Sequence, residues 1–115
     1  MAKFHLTNKA VEDLDSIWLY TIEKWSENQA DKYYRIISKE FQEIADTKRI
    51  IDREYTEIHP GLYGRHCQKH VIFYRYIEKE VEIVRILHER MDYASKFVDE
   101  ENKWFVRILK SLPIN

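Results

Sequence analysis

Four residues between positions 54 and 88 have side chains suited to cutting a phosphodiester bond without a metal ion. This chemistry needs a base for the attacking 2′-hydroxyl, a cation for the charge that develops on the phosphoryl group, and an acid for the leaving oxygen. Glu54 or Glu57 could act as the base, Arg65 as a planar phosphate clamp, and His88 as an acid that titrates near neutral pH. Together they define a nuclease hypothesis.

Other kinds of catalysis find little support. Cys67 is the only cysteine, so neither an intrachain disulfide nor a cysteine metal cluster is possible. Its neighbour His66 is not a catalytic partner, because adjacent residues of a strand point to opposite faces. His66 and His70 are four residues apart, but a predicted turn separates them, so they do not form a metal pair. We therefore predict no metal site and no cofactor.

Composition indicates a single folded domain. The chain has 115 residues, of which 44% are hydrophobic and 34% charged, enough for one core. Its longest uncharged apolar run, 71–74, is far too short to cross a membrane, and the N-terminus lacks a hydrophobic signal segment. We expect a cytoplasmic protein without membrane association. The net charge of −1 includes no basic run, which argues against direct sequence-specific DNA binding.

Apolar periodicity predicts a strand followed by two helices. Lys3–Leu6 is the candidate strand, and Thr7 or Asn8 can cap the helix that follows it. One apolar stripe of that helix contains Val11, Leu14, Trp18, Ile22 and Trp25, and we expect its two tryptophans in the core. Ser26 caps a second helix, whose stripe contains Ala30, Tyr33, Ile37, Phe41 and Ile44. The two helices are predicted to form an antiparallel hairpin.

After a break at residues 59–61, the pattern changes to strands. Residues 62–67, 70–76 and 81–87 are rich in β-branched and aromatic side chains, with short polar joins between them. The third run is apolar on both faces, which is typical of a central strand. The predicted fold class is α+β, with an N-terminal strand, a two-helix antiparallel hairpin, a three-stranded antiparallel sheet and a C-terminal helical tail.

The tail is predicted to be a separate element, so we divide the chain into a domain at 1–92 and an extension at 93–115. Asp99 can cap a helix with one apolar face, formed by Trp104, Phe105, Ile108, Leu109 and Leu112. This face is expected to pack on the domain. Binding to a partner is the alternative.

The positions of charged and aromatic side chains in the helices and strands predict whether they are buried or exposed. Arg85 lies among apolar residues, so it should pair with a carboxylate of the first helix, one of Glu12, Asp13 or Asp15. Arg75 and Arg90 are expected to be exposed and free to contact another molecule. Helical or strand spacing favours core or groove positions for the tyrosines, which are Tyr33, Tyr34, Tyr74 and Tyr76.

Several strings resemble the ParE branch of the RelE/ParE toxin family over residues 4–92. They are Leu6-Thr7-Asn8-Lys9-Ala10-Val11-Glu12-Asp13-Leu14 with Ile17-Trp18 and Tyr20, the stretch 25–33, Gly64-Arg65-His66, His70-Val71-Ile72-Phe73-Tyr74-Arg75 and Ile83-Val84-Arg85-Ile86-Leu87-His88-Glu89-Arg90-Met91-Asp92. Each string is short, but they occur together in family order.

The resemblance implies a growth-inhibiting toxin that is neutralised by an antitoxin encoded beside it, here a ParD-like one. ParE-like toxins are associated with poisoning DNA gyrase, whereas RelE-like relatives cut messenger RNA on the ribosome. Arg65 and His88 occupy positions similar to catalytic residues of the YoeB type of RelE-like nuclease, with Glu57 as the base. We favour gyrase, because the basic cluster of a ribosomal nuclease is missing from the strand segments. The alternatives are a messenger-RNA nuclease and an inactive relative.

Two binding surfaces follow from the resemblance and the side-chain types. Target contacts are assigned to Arg65, Arg75, His88 and Arg90. Antitoxin contacts are assigned to Trp18, Tyr20, Tyr33 and Tyr34, along a groove between the helical hairpin and the sheet. On this interpretation the chain has no catalytic residue.

Overall fold

The computed structural model describes residues 2–47 and 51–97. The elements in these ranges are β1 (Phe4–Leu6), α1 (Asn8–Lys24), α2 (Glu27–Asp46), β2 (Arg53–Glu54), β3 (Tyr63–Cys67), β4 (His70–Ile77), β5 (Glu80–His88) and α3 (Tyr93–Phe97). None of the helices in this part of the chain combines the length and apolar character needed to cross a lipid bilayer.

Polar caps define the predicted helical hairpin. Thr7 accepts a hydrogen bond from the Ala10 N–H at 3.0 Å, and Ser26 accepts one from the Gln29 N–H at 3.0 Å. Each bond satisfies a backbone donor that the first helical turn leaves without a partner. Only two residues join α1 to α2, so the helices run antiparallel. Both predicted caps are confirmed.

The strands form one five-stranded sheet in the order β1-β5-β4-β3-β2. β1 pairs with β5 in parallel, and the other neighbours are antiparallel. Two-residue turns at 68–69 and 78–79 join the last three strands. Their first residues, Gln68 and Glu78, have φ angles of 57° and 56°, in the left-handed region. The three predicted strands are confirmed, whereas β2 and the parallel pairing of β1 were not predicted.

Apolar side chains cover both faces of the central strands. The helix-facing core includes Ala10, Leu14, Ile37, Phe41, Ile44, Ile72, Tyr74, Val81, Ile83 and Ile86. A second core on the opposite face contains Tyr55, Leu62, Val71, Phe73, Val84, Leu87 and Phe97. β5 contributes to both because successive side chains of a strand point to opposite faces. Val84 is an extra residue in the ladder, where the register shifts between Phe73 and Tyr74, so Ile86 joins Val81 and Ile83 on the helix-facing side. The prediction of a doubly covered central strand is confirmed.

The buried face of α1 differs from the predicted one. Ala10 and Leu14 are buried, and Ile17 packs beside them against the sheet. Trp25, by contrast, leaves 74% of its surface exposed, so its assignment to the core was wrong. Because α1 has two neighbouring apolar faces, periodicity alone could not tell which one packs on the sheet.

The second core extends past the predicted domain boundary. Tyr93 packs against this core and Phe97 is buried within it. The described start of the predicted extension thus packs on the domain, and the division at residue 92 stays a prediction. The predicted tail helix, with Asp99 and the apolar residues from Trp104 onward, lies outside the described residues.

Candidate functional site

Arg65 belongs to an internal charge network. Its Nε lies 3.0 Å from both carboxylate oxygens of Asp52, and its Nη1 lies 3.4 Å from Glu40 of α2. The Arg65 side chain is only 13% exposed. Tyr74 also donates its hydroxyl hydrogen to Asp52, and burial together with this carboxylate raises the pKa of Tyr74. Two carboxylates thus already compensate the guanidinium that was predicted to clamp a phosphate.

The predicted base, Glu57, lies in the loop after β2 and binds Arg53 at 2.7 Å. A hydrogen bond from its own backbone N–H, reinforced by Arg53, lowers the pKa of Glu57. A lower pKa weakens a carboxylate as a proton acceptor. The other candidate, Glu54, accepts the Gly61 N–H at 3.0 Å. Both carboxylates therefore have local structural partners.

His88 is the last residue of β5 and lies beside His70, the first residue of β4. The two imidazole rings form an edge-to-face pair with centroids 5.3 Å apart. Nδ1 of His88 accepts the Arg90 N–H at 3.2 Å, so His88 makes a local hydrogen bond at the end of its strand. A histidine in this arrangement supports the chain turn that follows β5.

His70 is the more perturbed member of this pair. Burial, with a smaller contribution from His88, lowers the pKa of His70 from 6.5 to about 4. Its Nδ1 lies 2.7 Å from the hydroxyl of Tyr33, which also accepts the Lys69 N–H at 3.2 Å. Tyr33 therefore donates its hydroxyl hydrogen to a neutral His70. This contact connects α2 to the β3–β4 turn.

The sheet register keeps the nuclease candidates apart. Arg65 is level with Ile86, two strands away, and His88 lies two residues further along β5. Strand geometry then places the Cα atoms of Arg65 and His88 about 12 Å apart. Glu54 is level with Tyr63, so its Cα lies about 19 Å from that of His88. The register therefore separates Glu54, Arg65 and His88 along and across the sheet, and Glu57 is paired with Arg53 in the loop after β2.

Arg75 was predicted to be exposed, and this prediction was wrong. The residue is 3% exposed, and its Nη2 lies 2.6 Å from Glu82 on the neighbouring strand. Glu82 also binds Nε2 of His5 at 2.9 Å, which forms a row of three polar side chains across β1, β5 and β4. Strand order and register create this network, and neither was known from the sequence.

Arg85 confirms the ion pair predicted with the first helix. Its Nε and Nη2 bind the two carboxylate oxygens of Asp13 at 2.7 and 2.8 Å. Asp13 also accepts the Ile86 N–H at 3.0 Å, and Arg85 donates to the Lys96 carbonyl at 2.6 Å. β1 ends at Leu6 and leaves the next part of β5 without a neighbouring strand, and there the Asp13 carboxylate accepts the backbone N–H of Ile86.

The sheet end beyond His70 and His88 presents an exposed surface with two cationic side chains, which we call the sheet-end surface. Lys69 and Arg90 are exposed there, and Met91 follows them. The Glu89 N–H donates to the Lys69 carbonyl at 2.9 Å, which holds the β3–β4 turn against the end of β5. Glu89 also binds His66 at 2.7 Å, and this contact lowers the pKa of Glu89. Lys69 was not among the predicted target contacts.

The helical hairpin carries an exposed aromatic surface. The rings of Trp18 and Tyr34 meet edge to face with centroids 5.9 Å apart, and the exposed Trp25 is the C-cap residue that follows α1. Tyr20 is exposed, but it is two residues from Trp18 and therefore lies on a different side of the helix. Tyr33 faces His70. The structure thus brings together Trp18 and Tyr34 of the four predicted antitoxin contacts.

In the two described ranges, no group of three or more histidine, cysteine or carboxylate side chains could hold a metal ion. Cys67 is buried, and burial raises the pKa of its thiol. A buried neutral thiol is a poor nucleophile.

Comparison with known proteins identifies the family. The family model for the ParE toxin of the type II toxin–antitoxin system, parDE, matches residues 4–93. The chain belongs to the ParE toxin family. Toxin ParE1 of Mycobacterium tuberculosis is 34% identical over 92 residues, which cover 79% of this chain and 93% of the relative. Toxin ParE1 of Caulobacter vibrioides is 32% identical over 103 residues, covering 80% and 94% of the two chains.

The fold agrees with this membership in the ParE toxin family. A chain from the chromosomal ParDE toxin–antitoxin system of P. aeruginosa superposes with a TM-score of 0.68, at 22% identity. The match covers 76% of this chain and 96% of the other. The ParE family match ends at residue 93, so most of α3 lies beyond it.

Proposed function

We propose that this ParE toxin inhibits DNA gyrase by binding and is neutralised by a ParD-like antitoxin. The observation that supports binding over RNA cleavage is the placement of the candidate chemical groups. Arg65 is compensated by Asp52 and Glu40, and the register separates it from His88. A binding toxin needs no reacting group, because preferential affinity for one state of its target is sufficient to trap that state.

The sheet-end surface is the target contact in this proposal. Arg90 and Lys69 present positive charge there, and His88, the last residue of β5, adjoins them. Exposed arginines are enriched at protein interfaces. The other residues assigned to the target have internal partners, so we interpret Arg65 and Arg75 as supports of the strands that carry them.

The antitoxin contact is the exposed aromatic surface of the hairpin. The sequence interpretation placed this contact in a groove between the hairpin and the sheet, but α1 packs directly on the sheet through Ala10 and Leu14. Trp18 and Tyr34 lie on the hairpin's exposed side. The similar P. aeruginosa structure is of a ParDE system, which makes a ParD-like antitoxin the partner that we propose. Tyr20 and Tyr33 would lie at the margins of this contact.

Expression without the antitoxin tests the proposed activity. When the toxin is produced in the cytoplasm, we expect the cells to stop growing, to form filaments, and to show chromosome breaks and a DNA-damage response. The double variant His88→Ala, Arg90→Ala should lose toxicity, whereas the control Lys79→Ala, which changes an exposed charge in the turn at the other sheet end, should retain it. Rapid cleavage of messenger RNA would contradict the proposal, as would the absence of any effect on growth from a folded protein.

A further inference from the structure

An exposed apolar stripe runs along α1 beside its packed face. Val11, Trp18 and Ile22 recur at helical spacing on this stripe, Trp25 follows as the C-cap residue, and Tyr34 of α2 adjoins the stripe through its contact with Trp18. Val11 and Ile22 are exposed even though they are large apolar residues. A continuous patch of this kind, in contrast to scattered apolar residues, is typical of an interaction site.

One carboxylate interrupts the stripe. Asp15 lies four residues after Val11 and three before Trp18, so it projects from the same side of α1. The two other acidic residues in this half of the helix have ion pairs, Glu12 with Lys9 and Asp13 with Arg85. Asp15 is exposed and has no ion pair with any residue in the described ranges.

We propose that the partner which covers this stripe carries an arginine or lysine that pairs with Asp15. The inference rests on the proposed docking of the antitoxin at this surface. An apolar segment lying over Val11 and Trp18 removes water from the Asp15 carboxylate between them, and a buried unpaired charge is very unfavourable. A cation on the partner offsets this loss, and arginine fits best because its planar fork binds both carboxylate oxygens.

Asp15 also argues against a second copy of this chain as the occupant. In a two-fold dimer centred on the stripe, the same patch of each copy faces the other. The interface would then enclose two Asp15 carboxylates and no cationic side chain of the stripe to pair with them, and like charges at an interface are unfavourable. The surface therefore fits a partner that is apolar with a basic residue near its centre.

The test measures the affinity of the intact chain for the ParD-like protein encoded beside its gene. Removing one member of a desolvated charge pair should weaken binding, and reversing its charge should weaken it further. We expect Asp15→Lys to raise Kd about 100-fold or more and Asp15→Asn about tenfold. The control Glu43→Lys makes the same charge change on the side of α2 away from Tyr34, and we expect it to change Kd less than about threefold.

Two further variants separate this inference from the proposed function. If Trp18→Ala weakens binding and Asp15→Lys does not, the role of Asp15 is overturned and the docking surface stands. If neither changes Kd, both ideas fail. Equal effects of Asp15→Lys and Glu43→Lys would also overturn the specific pair. Restored binding between Asp15→Lys and an antitoxin with one arginine or lysine replaced by glutamate would support it. A stable dimer of the chain alone that Trp18→Ala dissociates would assign the stripe to a second copy.

Discussion

Replacing Asp13 by alanine removes the carboxylate that joins α1 to β5. The substitution deletes two hydrogen bonds to Arg85, at 2.7 and 2.8 Å, and one from the Ile86 N–H at 3.0 Å. Both partners of the ion pair are largely buried, with side chains 12% and 13% exposed. Removing one member of a buried pair costs about 3–5 kcal/mol. Because Arg85 keeps its bond to the Lys96 carbonyl, we expect the free energy of unfolding to fall by about 2–3 kcal/mol.

The assay is urea unfolding followed by far-ultraviolet circular dichroism, in a double-mutant cycle with Arg85→Met. The midpoint should shift while the dependence on urea stays constant, since the surface exposed on unfolding is nearly unchanged. Once Arg85 is methionine, removal of Asp13 should cost much less, which corresponds to a coupling energy of about 2 kcal/mol. If the two substitutions are additive, or if Asp13→Ala costs less than about 0.5 kcal/mol, the pair does not stabilise the fold in the way its geometry suggests.

Three smaller perturbations test other parts of the structure. In Gly64→Ala the new Cβ would lie 2.6 Å from Cε1 of Tyr55, so the ring must move, and thermal unfolding should show a loss of about 1–3 kcal/mol. Trp25→Ala should change stability by less than about 0.5 kcal/mol, because the indole is exposed. His70→Asn keeps an acceptor for the Tyr33 hydroxyl but cannot titrate, so it should reduce the loss of stability on acidification, measured by urea unfolding at pH 7 and pH 4.

The sign of the histidine effect follows from its lowered pKa. An unfolded chain protonates His70 near pH 6.5, whereas the folded chain resists protonation down to about pH 4. The contribution of neutral His70 to the free energy of unfolding is therefore fully present above pH 6.5 and is lost as the pH falls toward 4. The change in pKa corresponds to about 3 kcal/mol, which screening at this partly exposed site reduces to about 1–2 kcal/mol. If the wild-type chain and the His70→Asn variant lose equal stability over this pH range, His70 is not responsible.

The packing variants have their own contradicting outcomes. An unchanged melting temperature of Gly64→Ala, or a large loss of stability in Trp25→Ala, would contradict the packing described.

Local patterns predicted most of the elements. The caps at Thr7 and Ser26 lie where the polar signals indicated, because an oxygen beside the first turn satisfies free amides irrespective of tertiary context. The β3, β4 and β5 runs were recognised from their β-branched and aromatic residues. β2 was missed because a two-residue polar strand has no period to detect.

Features that depend on which elements pair were harder to predict. The parallel contact of β1 with β5 joins residues far apart in sequence and leaves no local signature. The burial of Arg75 follows from Glu82 lying opposite it, and a shift in register would remove that partner. Arg85 was predictable in part, because a charge among apolar residues requires a counter-charge, and α1 offered three carboxylates nearby.

The candidate site was also predictable in part. Residue types indicated that aromatic side chains of the hairpin and a histidine at the end of β5 deserve testing as contacts, but spacing could not show that Tyr33 faces His70 while Tyr34 faces Trp18. Likewise, the nuclease hypothesis required three residues to converge, and only the strand order and register could show that Arg65 and His88 lie on strands separated by β4 and at different levels.

The most direct test of a toxin that binds without cutting uses purified gyrase, supercoiled plasmid and the purified chain. We predict that DNA supercoiling falls and that linear plasmid accumulates when the reaction is stopped with detergent, with less of both for the His88→Ala, Arg90→Ala variant. Messenger RNA in a translating extract should remain intact at the same toxin concentration. If that RNA is cut, if His88→Ala abolishes the cutting, and if gyrase is unaffected, the toxin acts as a nuclease and not as a gyrase ligand.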